Sequence, residues 1–99
     1  MNDEQSDNNQ SKKARDLYRA VLSLKSIAEC GRFFRDLLTE DEIREFSERW
    51  YVVHCLEKGL SYREISKLSG LSTATITRVA KWYQNGTGGY KLALSRTQG

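Results

Sequence analysis

The chain has 99 residues, of which 29% are charged and 38% apolar, a net charge of +3 and no proline, with a mean hydropathy of -0.66. These totals fit one small domain with a modest core that gains stability from a partner chain. They speak against a membrane span, which needs about 20 apolar residues in a row, and against a secretory leader, for which the stretch after Met1 is too polar, so a cytoplasmic protein is expected.

Residues 1–11, MNDEQSDNNQS, are polar and hold three acids, Asp3, Glu4 and Asp7, against no base, so the remaining residues carry +6. Lacking apolar anchors, this tail is predicted to be disordered and is assigned no site. From Lys12 a stripe of Ala14, Leu17, Tyr18, Val21, Leu22, Leu24, Ile27 and Ala28 recurs at three-and-four spacing and predicts an amphipathic helix, nearly too apolar for a monomer's surface. The stripe is expected to break around Gly31, before a short helix or turn carrying Phe33, Phe34, Leu37 and Leu38.

Thr39 and Glu42 have the spacing of a capping box, and Leu38 can staple onto Ile43, so a further helix is predicted from Glu40 to about Glu57, ending at Gly59. Ile43, Phe46, Trp50, Val53 and Leu56 form its expected buried side. His54, the single histidine, and Cys55 are neighbours that point to different sides of this helix, which argues against a shared metal site. Both cysteines, Cys30 and Cys55, read as reduced packing residues.

In SYREISKLSGLSTATITRVAKW the start signal recurs twice. Ser61 with Glu64 forms a capping box, and Leu60 can pack on Ile65. Gly70 supplies the positive φ that ends a helix. Leu71, Ser72 and Ile76 then repeat the staple and cap without the acid. Residues 59–84 are therefore predicted to be a helix-turn-helix, with 12–58 as a helical dimerisation core. In the second helix Ile76, Val79, Ala80 and Tyr83 share one face, and the leading turn from Ser72 to Thr75 is small and rich in hydroxyls. Such a turn can approach phosphates and base edges closely. Between Lys58 and Lys81 there are five basic residues (Lys58, Arg63, Lys67, Arg78, Lys81) and one acid, Glu64, a balance that fits a polyanion.

Residues 85–99 form a glycine-rich carboxyl-terminal segment, in which Gly86, Gly88 and Gly89 are expected to break the helix and leave a flexible link to a short piece around Tyr90 to Leu94. The cluster lacks the strand, the following helix and the lysine-serine ending of a P-loop. All predicted elements are helical, five with a sixth short turn, so the expected fold class is all-α.

From Leu38 onward, LTEDEIREFSERW, KGLSYRE and above all ATITR at 74–78 resemble the Trp repressor family, and with NGTGGY at 85–90 the YerC/YecD branch of Trp repressor-related bacterial proteins. The resemblance implies an intertwined homodimer with two outboard reading heads. It implies that Arg63 contacts a base, guanine by chemistry, that Thr73, Ala74, Thr75 and Thr77 lie on the reading surface, and that Thr77 meets phosphate. Thr39, Arg49 and Arg78 match positions lining the family's indole site, the two arginines flanking the ring. The chain departs from that pattern at two places: Val79 stands where the pocket has glycine, and Trp82 where it has a small serine. Free tryptophan is therefore not expected as a ligand, and Trp82 is either a built-in filler or a packing residue against Tyr83 or the third helix. One residue fewer separates Gly59 from Ser61 than in tryptophan-responsive members, and their long terminal helix is cut short here.

The expected function is a homodimeric, sequence-specific DNA-binding transcriptional regulator, with Lys58, Lys67, Arg78 and Lys81 on phosphates and Arg63 with Ser72, Thr73, Ala74 and Thr75 giving selectivity. The alternative is an interaction module docking an acidic protein through the same basic face. No enzyme activity and no cofactor are expected, because the acids Asp41, Glu42, Glu45 and Glu48 read as a solvated helix face and His54 has no nucleophile motif beside it.

Overall fold

The computed structural model describes residues 3–98, and over that range the chain is all-α: α1 (Asp3–Ser23), α2 (Ile27–Leu37), α3 (Glu40–Glu57), α4 (Tyr62–Ser69), α5 (Thr73–Asn85) and α6 (Gly89–Thr97). They fall into two units, one ending at Thr39 and one beginning at Glu40. None of the described helices is long and apolar enough to cross a membrane.

The amino-terminal unit differs from expectation twice. Met1 and Asn2 lie outside the described residues, but from Asp3 the tail expected to be disordered continues α1. Once Lys12 to Ser23 has nucleated a helix, adding residues free of proline and glycine costs little per residue. The break expected around Gly31 lies instead at residues 24–26, and α2 runs through the glycine. Ser26 sets this boundary: its side chain accepts from the Glu29 backbone N–H at 3.1 Å, while Oε1 of Glu29 accepts from the Lys25 N–H at 3.0 Å. Local capping thus overrides the apolar periodicity that ran on through Ile27 and Ala28. α2 buries no residue, and Tyr18, Leu22 and Ile27 are 67%, 85% and 92% exposed.

The second unit has the core. Val52, Val53 and Cys55 of α3, Ile65 of α4, Ile76 and Val79 of α5 and Leu94 of α6 form one buried cluster, with Trp50, Leu56, Leu60, Leu71, Tyr83 and Tyr90 packed against it. Trp50, Val53 and Leu56 therefore face inward as expected, but Phe46 is 44% exposed and Ile43 only half-buried. The reason is positional: α4 and α5 cover the carboxyl-terminal half of α3, where the buried residues of α3 are found. α3 closes in a Schellman arrangement, with the Gly59 N–H donating to the Leu56 carbonyl at 3.0 Å and the Leu60 N–H to that of Cys55 at 3.2 Å, made possible by the φ of +80° at Gly59.

The glycine-rich tail is ordered rather than a loose link. Gly86 ends α5 with its N–H on the Trp82 carbonyl at 2.9 Å, Gly88 turns with φ +89°, and α6 extends past Leu94 to Thr97. Burial of Leu94 and contact of Tyr90 with the core hold this helix in place.

Candidate functional site

α4 and α5 begin as their sequences dictate. The capping box at α4 is complete: Oγ of Ser61 accepts from the Glu64 N–H and Oε2 of Glu64 accepts from the Ser61 N–H, both at 3.2 Å. Ile65, one residue on, is fully buried. At the other end Gly70 has φ +76° and donates its N–H to the Ser66 carbonyl at 2.9 Å. Two serines that sequence reasoning passed over close the turn, Ser66 donating to the Leu71 carbonyl and Ser69 to that of Ile65, each at 2.7 Å, while Ser69 Oγ accepts from the Leu71 N–H at 3.1 Å. Serine within the last turn before a glycine stop was the signal available for them. Ser72 then caps α5, accepting from the Thr75 N–H at 3.2 Å.

On this frame Ser72, Thr73, Ala74 and Thr77 are exposed and Thr75 half-buried. Their hydroxyls are not equivalent. Ser72 Oγ and Thr75 Oγ1 share a hydrogen bond at 3.1 Å, and Thr77 donates to the Thr73 carbonyl at 2.8 Å. Phosphate oxygens only accept, and Thr77 in this rotamer directs its proton to its own helix, so a phosphate contact there needs the hydroxyl to turn. Thr73 keeps its hydroxyl unengaged among the described residues.

Lys58, Arg63, Lys67, Arg78 and Lys81 are all exposed, and none of them has an ion-pair partner among the described residues. Glu64, the acid in their midst, is held by the Ser61 backbone. Five exposed cations without ion-pair partners among the described residues, in the same stretch of chain as an exposed polar turn, give a field that attracts a polyanion and no internal pairing to break before it binds.

Behind α5 lies a cleft of about 290 Å³ lined by Arg49, Arg78, Val79, Trp82 and Tyr90. Four of these were singled out from the sequence, and Tyr90, from α6, was not, because the glycine run before it read as a link. Thr39 is exposed and belongs to the amino-terminal unit. Val79 is 4% exposed and packs into the core. Trp82 is 58% exposed, so within one chain its indole walls the cleft and does not fill it. Arg49 is engaged elsewhere, its guanidinium 2.7 Å from Glu45 and 5.4 Å from the centre of the Phe46 ring. Cys55 is buried in the core and Cys30 half-buried on α2, both as free thiols. His54 sits edge-on to Trp50 at 4.8 Å.

A sequence model of the family described as Trp repressor protein matches residues 12–98. YerC of Bacillus subtilis strain 168 is 42% identical over 82 residues, 83% of this chain and 79% of that protein. Among crystal structures, a TrpR-like protein from Eubacterium eligens ATCC 27750 superposes with a TM-score of 0.82 at 36% identity, covering 86% of this chain and 88% of its own. A candidate Trp repressor from Staphylococcus aureus superposes with a TM-score of 0.83 at 38% identity, covering 88% and 87%.

Proposed function

The chain belongs to the Trp repressor family, and from that premise we propose that it is a homodimeric, sequence-specific DNA-binding regulator of transcription in the cytoplasm, with no catalytic step and no response to free tryptophan. The observation that carries the proposal is the α4–α5 pair, read as a helix-turn-helix whose leading turn is exposed, together with five exposed cations that have no ion-pair partner among the described residues. Lys58, Lys67, Arg78 and Lys81 hold phosphates, and Arg63 with Thr73 and Ala74 meets base edges in the major groove.

The second subunit follows from α1 and α2. A helix pair that leaves Tyr18, Leu22 and Ile27 mostly exposed and buries nothing on α2 has more apolar surface than a stable monomer shows to water. A two-fold axis then sets the two reading helices about 34 Å apart, in successive major grooves. No response to tryptophan is expected because Val79 lines the cleft where the resembled indole pocket has glycine and because Arg49 is paired with Glu45.

The test is enrichment of duplexes from a random library by the full-length chain, followed by gel shifts over a salt series. A recurrent two-fold motif, bound with an affinity that falls as salt rises, is the expected outcome. A library that shows no enrichment, together with a stoichiometric acidic protein that co-purifies, would replace DNA by a protein partner on the same face.

A further inference from the structure

The first turn of α5 reads and its last turn is tied down. Tyr83 lies ten residues beyond Thr73, about 15 Å along the helix axis at 1.5 Å per residue. Its hydroxyl donates to Oε2 of Glu57, the last residue of α3, across 26 positions of sequence. The bonds Arg44–Asp41, Arg49–Glu45 and Ser72–Thr75, by contrast, join neighbours three or four apart. Lys91 of α6 places its ammonium over the same tyrosine ring, 5.5 Å from the centroid.

Within α5 the other inward-facing residues are apolar, Ile76, Val79 and Ala80, and ahead of it Ser66 and Ser69 hold the Leu71 backbone. Apolar burial is non-directional, so it fixes how deeply a helix sits more firmly than how it rolls or tilts. A hydrogen bond is directional. Placed at the end of the helix opposite the reading turn, it acts on an arm as long as the one that carries Thr73, each three residues out from a pivot formed by the buried Ile76 to Ala80 segment. We propose that Tyr83 and Glu57 are positioning residues for DNA reading: their hydrogen bond, with Lys91 over the ring, sets the roll and tilt of α5 against α3 and so aims Thr73 and Ala74 at the base edges. This inference rests on the DNA-binding reading above.

The experiment measures affinity of the full-length chain for two duplexes, one enriched from a random library and one with the same composition in scrambled order. Tyr83→Phe removes one hydroxyl and keeps the ring beneath Lys91. Its expected effect is a fall of about tenfold in the ratio of selected to scrambled affinity, the scale of one hydrogen bond, with scrambled affinity unchanged. Glu57→Gln, which retains an accepting oxygen, keeps the ratio within about threefold. Glu57→Ala lowers it as Tyr83→Phe does, and the two together lower it no further. Damage to the fold alone would reduce both affinities in step and leave the ratio where it was. An unchanged ratio in both Tyr83→Phe and Glu57→Ala, while the unsubstituted chain discriminates well, overturns the positioning role and leaves DNA binding standing. An unsubstituted chain that does not discriminate between the duplexes overturns the DNA reading itself, and this inference with it.

Discussion

The rings of Trp50 and Tyr90 lie 6.2 Å apart, centre to centre, with their planes inclined at 39°, and this contact ties α6 to the middle of α3. Tyr90 also borders the Arg49–Arg78 cleft and two more of similar size, of about 270 Å³ beside Phe46 and about 300 Å³ beside Trp82 and Thr87. α6 is therefore part of the body and of the cleft wall at once. Leu94 is 4% exposed beneath it. Leu94→Ala is expected to lower unfolding free energy by about 2–5 kcal/mol, read as an earlier urea midpoint at fixed protein concentration. A midpoint that does not move would mean that α6 is undocked in solution.

The reading head was legible because its signals are local. Ser61, Glu64, Gly70 and Ser72 each act on backbone groups within four residues, so spacing alone placed both helix starts and the stop between them. The Ser26–Glu29 cap is equally local, but a continuous apolar stripe masked it. The exposure of Phe46 and the docking of α6 were not legible, since both depend on which part of α3 is covered by elements far away in sequence. Trp82 was matched to a pocket position by resemblance and does line the cleft, but resemblance carries no statement of where a side chain points, and within one chain the indole is 58% exposed.

Gly70 holds φ +76°, and a Cβ placed there meets nothing within 4 Å. The cost of Gly70→Ala is thus conformational alone, about 1 kcal/mol. Ser61→Ala removes one side of the capping box and is expected to cost a similar amount, about 1 kcal/mol. Combined, the two should be nearly additive, because they act at opposite ends of α4 on different backbone groups. Thermal or urea unfolding of the two single variants and the double variant checks this, and a strongly non-additive result would show that α4 frays as a unit.

Phosphate and base contacts separate by their salt dependence. Lys81→Ala is expected to weaken all duplexes to a similar extent and to reduce the slope of log K against log salt by about 0.9. Arg63→Ala is expected to cost about 1–3 kcal/mol on the enriched duplex alone, by relaxing choice at one guanine. Gel shifts on enriched and scrambled duplexes distinguish them. Uniform losses from Arg63→Ala would reassign that arginine to the backbone.

L-tryptophan is expected to give no saturable heat when titrated into the protein at millimolar concentrations. Val79 is packed into the core where a glycine would leave room, and the Arg49 guanidinium, 2.7 Å from Glu45, would have to leave its carboxylate to stack on an incoming ring. Saturable micromolar binding in isothermal titration would show that both obstacles yield. The enriched duplex should accordingly bind with the same affinity in the presence and absence of the amino acid.

The hydroxyl of Tyr83 also fixes a pH window. Its donation to Glu57 comes first, then partial burial and the nearby carboxylate charge, and all three favour the neutral phenol and raise its pKa above 10.0. In the unfolded chain these influences vanish and the phenol returns to an ordinary value near 10. The stability contributed by the neutral form is then complete below about pH 10 and is lost as pH rises through the higher folded value. Between pH 6 and 9 this bond adds no pH dependence. Lysines deprotonate in the same alkaline range, so the informative quantity is the difference between the original chain and Tyr83→Phe. That difference in urea midpoint is expected to be flat from pH 6 to 9 and to shrink only above pH 10. If it already shrinks near neutrality, another group controls the tie between α3 and α5.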